Sequence, residues 1–310
     1  MKLLIAAIGI GVTLQAPVAA APAADQIAKD YGLGVSLGYC ITAGCQVFRG
    51  YILTDSPTAG DPIIIHPEEG IFGMPVASEA VAVPYEDFGH SRGGDGGGSL
   101  PLAWANVKIA KNVGVTVVLG LKQAFGVRAG DPVIVTSDDR ESGIIRSLAQ
   151  EATRFATSPE SLVDATGSLS STPNAPLAGL LFAFFTVGKM PLRGDVTFSL
   201  LSQLLGNPSV PSGAADLIAA FMASHYPALP PDLKVLMVRR FAELGQQPDK
   251  ELAVAALRAL ADVLSFDASA RSSVPPMALA ELERSYRTMV SEKRMPRNAL
   301  LEGVFGAKRE

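Results

Sequence analysis

The sequence predicts an α+β protein, with a small antiparallel β-domain followed by an all-α domain of stacked antiparallel helix pairs. Three observations carry this. Between residues 195 and 264 the apolar side chains recur at spacings of three and four, the period of a helix face. Ahead of residue 137 the apolar runs are short, alternate in places and are bounded by Gly and Pro, as strands and turns are. Near Ser137-Asp138 one pattern gives way to the other. The expected divisions are a signal peptide at 1–24, a β-rich domain at 25–137, a connecting helix and loop at 138–176, and a helical domain at 177–310.

The first 24 residues have the grammar of an export signal. Lys2 supplies the positive end, Leu3 to Leu14 an apolar run, and 17–24 (PVAAAPAA) a small-residue zone with cleavage patterns at Val18-Ala19-Ala20 and Ala21-Pro22-Ala23. No later run has the length of a membrane span, so the mature chain is expected to lack a transmembrane segment and to be periplasmic or secreted. In that setting the only two cysteines, Cys40 and Cys45, are expected to form a disulfide. Closing so short a loop would stabilise the fold by about 2 kcal/mol in the chain-entropy model. The string Thr42-Ala43-Gly44-Cys45 echoes a lipoprotein cleavage box, but Thr42 stands where an aliphatic residue belongs, and lipidation is set aside.

From Gly32 to Leu53 the alternation of Val35, Leu37 and Tyr39, resumed at Val47 and Phe48, predicts a β-hairpin with the cysteines facing across its loop. Ile63 to Ile65, between Pro62 and Pro67, and Ala80 to Pro84 read as short edge strands. The glycine-rich stretch 93–99 reads as a flexible loop. A second hairpin follows. Ala103, Ala105, Val107 and Ile109 share one face; Val113, Val115, Val117 and Leu119 share another. Both meet one core only if Ile109 lies opposite Val113, which leaves a three-residue turn with Asn112 in the left-handed conformation. Gly130-Asp131-Pro132 gives a turn and Val133 to Val135 a strand. The set suggests a small barrel or sandwich resembling an OB-fold in size.

Asp138 caps a helix carrying Ile144, Ile145, Leu148 and Phe155, and 158–176, rich in Ser, Thr and Pro, reads as a loop. Ala178 to Val187 is apolar on all sides and too short to cross a bilayer, which predicts a buried central helix. Four amphipathic helices follow. Asp195 opens one bearing Leu200, Leu201, Leu204 and Leu205 and ending at Gly206; Ser212 opens one bearing Leu217, Ile218, Phe221 and Met222. Pro231-Asp232 opens one bearing Leu233, Leu236, Met237, Phe241 and Leu244, with Gly245 as its left-handed stop. Asp249 opens the last, with Ala253, Leu257, Leu260 and Leu264 on one face. Their starts recur about every eighteen residues. In that spacing and capping the stretch resembles the helix-pair repeats of HEAT-type α-solenoids, which implies a stacked layer offering a binding face. An ordinary bundle explains the same pattern. Pro276 opens one more helix through Met289, and a short tail segment, Asn298 to Phe305, closes the chain.

The chain has 310 residues, 48% hydrophobic and 18% charged, with a net charge of −4. That balance excludes long disorder and argues against a nucleic-acid partner, as does the lack of any basic stripe with interleaved aromatics. Gly89-His90-Ser91-Arg92-Gly93 fits the G-x-S-x-G elbow of α/β-hydrolases and makes Ser91 the alternative catalytic candidate. The glycine-rich loop after it is not the helix that elbow needs, and only His225 lies downstream as a base. His66 with Glu68, Glu69 and His90 is a conceivable metal set, although nothing in their spacing is diagnostic. Arg193-Gly194-Asp195 spells an adhesion tripeptide but is better read as a turn and a cap. The cluster Asp138, Asp139, Arg140 and Glu141 matches a helix dipole. No Walker loop, dinucleotide fingerprint or zinc spacing occurs, so no cofactor is expected. The resulting expectation is an exported, non-enzymatic scaffold for a protein or peptide partner, with a small-ligand module as a further alternative.

Overall fold

A computed structural model describes residues 24–55, 61–73, 79–85, 107, 109–120, 130, 132–158, 160–186 and 194–306. The expected leader, the glycine-rich loop, His90 and Ser91 lie outside them. Helix α1 (Ala24–Ala43) comes first. Five strands follow: β1 (Cys45–Ile52), β2 (Ile63–Phe72), β3 (Val81–Val83), β4 (Gly114–Gly120) and β5 (Pro132–Thr136). Then come α2 (Asp139–Thr157), α3 (Glu160–Ser171), α4 (Ala175–Thr186), α5 (Gly194–Leu204) and α6 (Ser212–His225). The last four helices are α7 (Pro231–Leu244), α8 (Lys250–Phe266), α9 (Leu279–Ser291) and α10 (Ala299–Gly306). The fold is α+β, with a curled antiparallel sheet of order β3-β2-β1-β4-β5.

The first correction is α1. The alternation at Val35, Leu37 and Tyr39 does not mark a strand; these residues belong to a twenty-residue helix, and Cys40 with them. Three glycines are unfavourable inside a helix, yet packing reverses that preference. A Cβ added at Gly34 would stand 1.9 Å from the Pro176 carbonyl oxygen, and one at Gly38 would stand 2.6 Å from Ala183 Cβ. From the other side, a Cβ at Gly179 would stand 2.1 Å from the Tyr31 carbonyl oxygen. Helices α1 and α4 therefore touch backbone to backbone, through small residues spaced four apart on each. This closeness lets the all-apolar α4 bury Leu177 to Phe185 completely, as its composition predicts.

Strand β4 is buried on both faces, the mark of a central strand. Val115, Val117 and Leu119 point into a core with Phe48, Ile52, Ile63, Ile65, Val83 and Val135; Val107, Ile109 and Val113 pack against it. The facing residues and the turn are as expected: Asn112 is left-handed, φ 68°, and the Val113 amide donates to the Ala110 carbonyl at 3.2 Å. The pairing differs. β1 and β5 take the two edges of β4 over Thr116 to Leu119; of the expected first strand, 103–106 and 108 lie outside the described residues. Pro67 also lies within β2, not at its end. It stands opposite Gly50 at a bulge, beyond the part of β2 that β3 covers, where its missing amide costs no ladder bond.

The other sheet face joins the helices. Val47, Val118 and Ile134 share one continuous core with Leu37, with Ile145, Leu148 and Phe155 of α2, and with the helices beyond. The segment 160–171, expected as loop, is helix α3. Leu162, Ala165 and Leu169 bury one face, and the Thr166 hydroxyl donates back to the Leu162 carbonyl at 2.8 Å, so hydroxyl-rich composition concealed a helical period. In the second half α8 is the hub. Asp249 caps it through the Glu251 and Leu252 amides, and it packs against α6, α7, α9 and α10, whereas α6 makes its chief contact with α8 and not with α7. The left-handed stop expected at Gly245 is not there, its φ being −63°; Gly206, which ends α5's segment, is left-handed at φ 86°. Gly245 is needed for space, since a Cβ there would stand 2.7 Å from Leu282 Cδ1.

Candidate functional site

Two places collect the residues that carry chemistry or recognition. The first is where α1 meets the sheet. Cys40 lies one turn before the end of α1 and Cys45 opens β1, joined through Gly44, which is left-handed at φ 90° and donates to the Ile41 carbonyl at 3.1 Å. The Thr42 hydroxyl is within 3.0 Å of both the Gly38 and Tyr39 carbonyls, closing the helix end. Both cysteines are buried free thiols, 7% and 2% exposed. The Cys40 side chain beside it, together with burial, pushes the Cys45 thiol far above its usual range. The expected disulfide is not formed; the two thiols lie near each other, brought together by a helix end and a strand instead of a hairpin.

Toward the amino-terminal end of α1 a charged clasp ties it to α2. Asp30, its side chain 10% exposed, accepts from Gln26 at 2.8 Å and from both terminal nitrogens of Arg140, one at 3.0 Å. Lys29 pairs with Glu141 at 3.0 Å, and Glu141 accepts from the Thr136 hydroxyl at 2.7 Å. Asp138 caps α2 by accepting the Glu141 amide at 2.8 Å. The sequence cluster 138–141 is thus a structural clasp. Burial alone would raise the Asp30 carboxyl, but hydrogen bonds from Arg140 and Gln26 and the Arg140 and Lys29 charges outweigh it and hold it below the ordinary value of 3.8. The folded state therefore binds this proton more weakly than the unfolded chain. The stability it contributes is fully present above the ordinary value and is lost as pH falls through the depressed one. Asp30→Asn is expected to cost about 1 kcal/mol at neutral pH, Arg140 being half exposed, and to flatten the acid limb of urea midpoint against pH.

The second place is the outer side of α6. Ile218 and Met222 of the expected stripe face inward, together with Ala215 and Ala219. Leu217, expected on that stripe, is 63% exposed. Phe221, one turn on, is half-buried, and its ring lies 4.4 Å from that of His225. The three form a ridge along one helix, beside the ion pair of Asp216 with Arg258 at 3.5 Å. His225 Nδ1 is 2.8 Å from the Phe221 carbonyl and 3.1 Å from the Ser224 hydroxyl, so this nitrogen is engaged within its own helix. Outward apolar residues also occur at Leu236 on α7, Phe266 at the end of α8, and Met277. Sequence periodicity missed the ridge because helical spacing of three and four is compatible with an apolar arc too wide for one neighbour.

The remaining candidates separate. His66 packs its ring 5.1 Å from that of Tyr51, while Glu69 receives a two-point hydrogen bond from Arg146 at 2.7 Å, joining β2 to α2. Among the described residues no group of three His, Cys, Asp or Glu side chains is placed to hold a metal ion, and no helix is long and apolar enough to cross a membrane. Arg193 and the Asp195 side chain lie outside the described parts. Comparison with protein-family models, curated proteins and solved structures finds no match to this chain.

Proposed function

We propose that this is an exported, non-enzymatic scaffold protein that presents the α6 ridge to an apolar segment of a protein partner. The observation that carries the reading is Leu217, a large aliphatic side chain turned to solvent beside Phe221 and rimmed by a polar pair. Exposed apolar surface with a polar rim is the composition of a binding patch. Export is supported by the leader-like sequence of 1–24, with its positive end, apolar run and small-residue zone. We read the curled sheet as part of a small barrel of OB-like size, supported by Val107 and Ile109 packing into its inner core. Its role is to seat α1 and α2, not to bind.

Leu217→Arg should leave stability within about 0.5 kcal/mol, as surface changes do. Photo-crosslinking from position 217 in the exported fraction is expected to capture a partner. Competition by unlabelled parent chain should abolish the capture, and competition by Leu217→Arg should not. Val163→Arg, at another outward apolar position on α3, should compete as the parent does. Equal competition by all three would remove the ridge as the binding face.

A further inference from the structure

We propose that Cys40 and Cys45 exchange between dithiol and disulfide only while the chain is unfolded, so that the native protein retains the form in which it folded. Exchange requires a thiolate to attack a disulfide sulfur with room for a third sulfur to approach in line. In the folded chain neither thiol offers this. Cys40 and Cys45 lie in the core that also holds Val47 and Val118, and the backbone at Gly73 crosses so close to Cys45 that an added Cβ would stand 2.4 Å from its carbonyl oxygen. Cys45 is paired with Gly120 of β4, and α1 is seated on α4, so exposing either sulfur means opening a strand or lifting a helix. The raised Cys45 thiol acts in the same direction, by leaving little thiolate.

In the unfolded chain four residues separate the two cysteines, and closure is fast. One cysteine thiolate attacks a glutathione-type or protein disulfide and releases one thiol as a mixed disulfide forms. The second cysteine thiolate then displaces the other thiol. The protein loses two protons and two electrons, and the external disulfide takes them up to become two thiols. A chain that folds after export, among such disulfides, would be locked as the disulfide; one that folds under reducing conditions would be locked as the dithiol. The shielding is independent of the partner reading above, and only the form found in the cell rests on export.

The test uses the full chain purified under reductant. Oxidised glutathione is added to it folded or in concentrated urea, free thiols are trapped by alkylation, and intact mass is read over time. Disulfide formation is expected to be at least ~100-fold slower in the folded chain, in proportion to the rarity of opening. Refolding with oxidised glutathione present should give the intramolecular disulfide, which dithiothreitol should then fail to reduce until urea is added. Rates within ~10-fold of each other would overturn the proposal, as would refolded chain bearing only free thiols or glutathione adducts. None of these readouts involves Leu217, so failure here is distinguishable from failure of the α6 ridge.

Discussion

Gly179→Ala is expected to destabilise the folded chain by about 3 kcal/mol or more, the upper range for forcing extra volume into a packed core. Two effects oppose each other. Alanine is the better helix former by up to about 1 kcal/mol. Against this, the new methyl would stand 2.1 Å from the Tyr31 carbonyl oxygen and 2.9 Å from the Val35 amide nitrogen. Both are backbone atoms of α1, which cannot turn aside as a side chain would, so the clash prevails and α1 must lift from α4. Gly34→Ala should behave alike, its methyl 1.9 Å from the Pro176 carbonyl oxygen. Gly167→Ala is the control. It lies on the exposed side of α3, nothing lies within 4 Å of its added methyl, and it should gain up to about 1 kcal/mol. Urea midpoints of the three variants decide the matter, and a Gly179→Ala chain as stable as its parent would mean that α1 is not seated on α4 at all.

Phe155→Ala should cost about 3–5 kcal/mol, the usual loss for a large aromatic side chain removed from a core. Phe155 is fully buried near the end of α2, and its ring meets that of Phe184 edge to face at 5.6 Å. It is a principal apolar bridge from α2, which also holds the sheet, to α4, which holds α1. The vacated volume lies between helices fixed at both ends, so collapse would recover little of it. Phe155→Leu retains most of the volume and should cost about 1 kcal/mol. The measurement is the unfolding midpoint together with near-ultraviolet circular dichroism. A loss for alanine no larger than that for leucine would show that the two layers are held together elsewhere.

Much of the back half was legible in the sequence. Each of α6 to α9 begins within three residues of the Ser, Pro or Asp that announced it, because caps and apolar period are local properties. What local pattern cannot supply is which helices touch. A period of eighteen residues suggested successive neighbours, but α8 turned out to be apolar nearly all round, with Ala255, Ala256, Ala259 and Ala261 buried beside its leucines. Alanines count little in a hydrophobic stripe, yet they are what lets four helices approach one. The front half was less legible for the same reason. Gly34 and Gly38 fell inside an expected strand, and their use as a landing for α4 depends on residues some 140 positions away. Of the two candidate places, the closeness of Cys40 and Cys45 followed from their spacing alone. The α6 ridge did not, since only the packing of Ala215, Ile218, Ala219 and Met222 inward leaves Leu217 on the outer side of the helix.

The seating of α1 on α4 also bears on how the chain acquires its shape. The Tyr39 hydroxyl lies 3.2 Å from the Thr186 hydroxyl, across 147 positions of sequence. During synthesis or translocation from the amino terminus, the first helix emerges long before its seat exists, with a glycine-notched flank that has nothing to lie against. Vectorial folding, in which each element settles as it appears, is closed to this protein. The leading segment must stay open, or be held open by a chaperone, until more than half the chain has followed, and it is during this wait that aggregation and mispairing threaten.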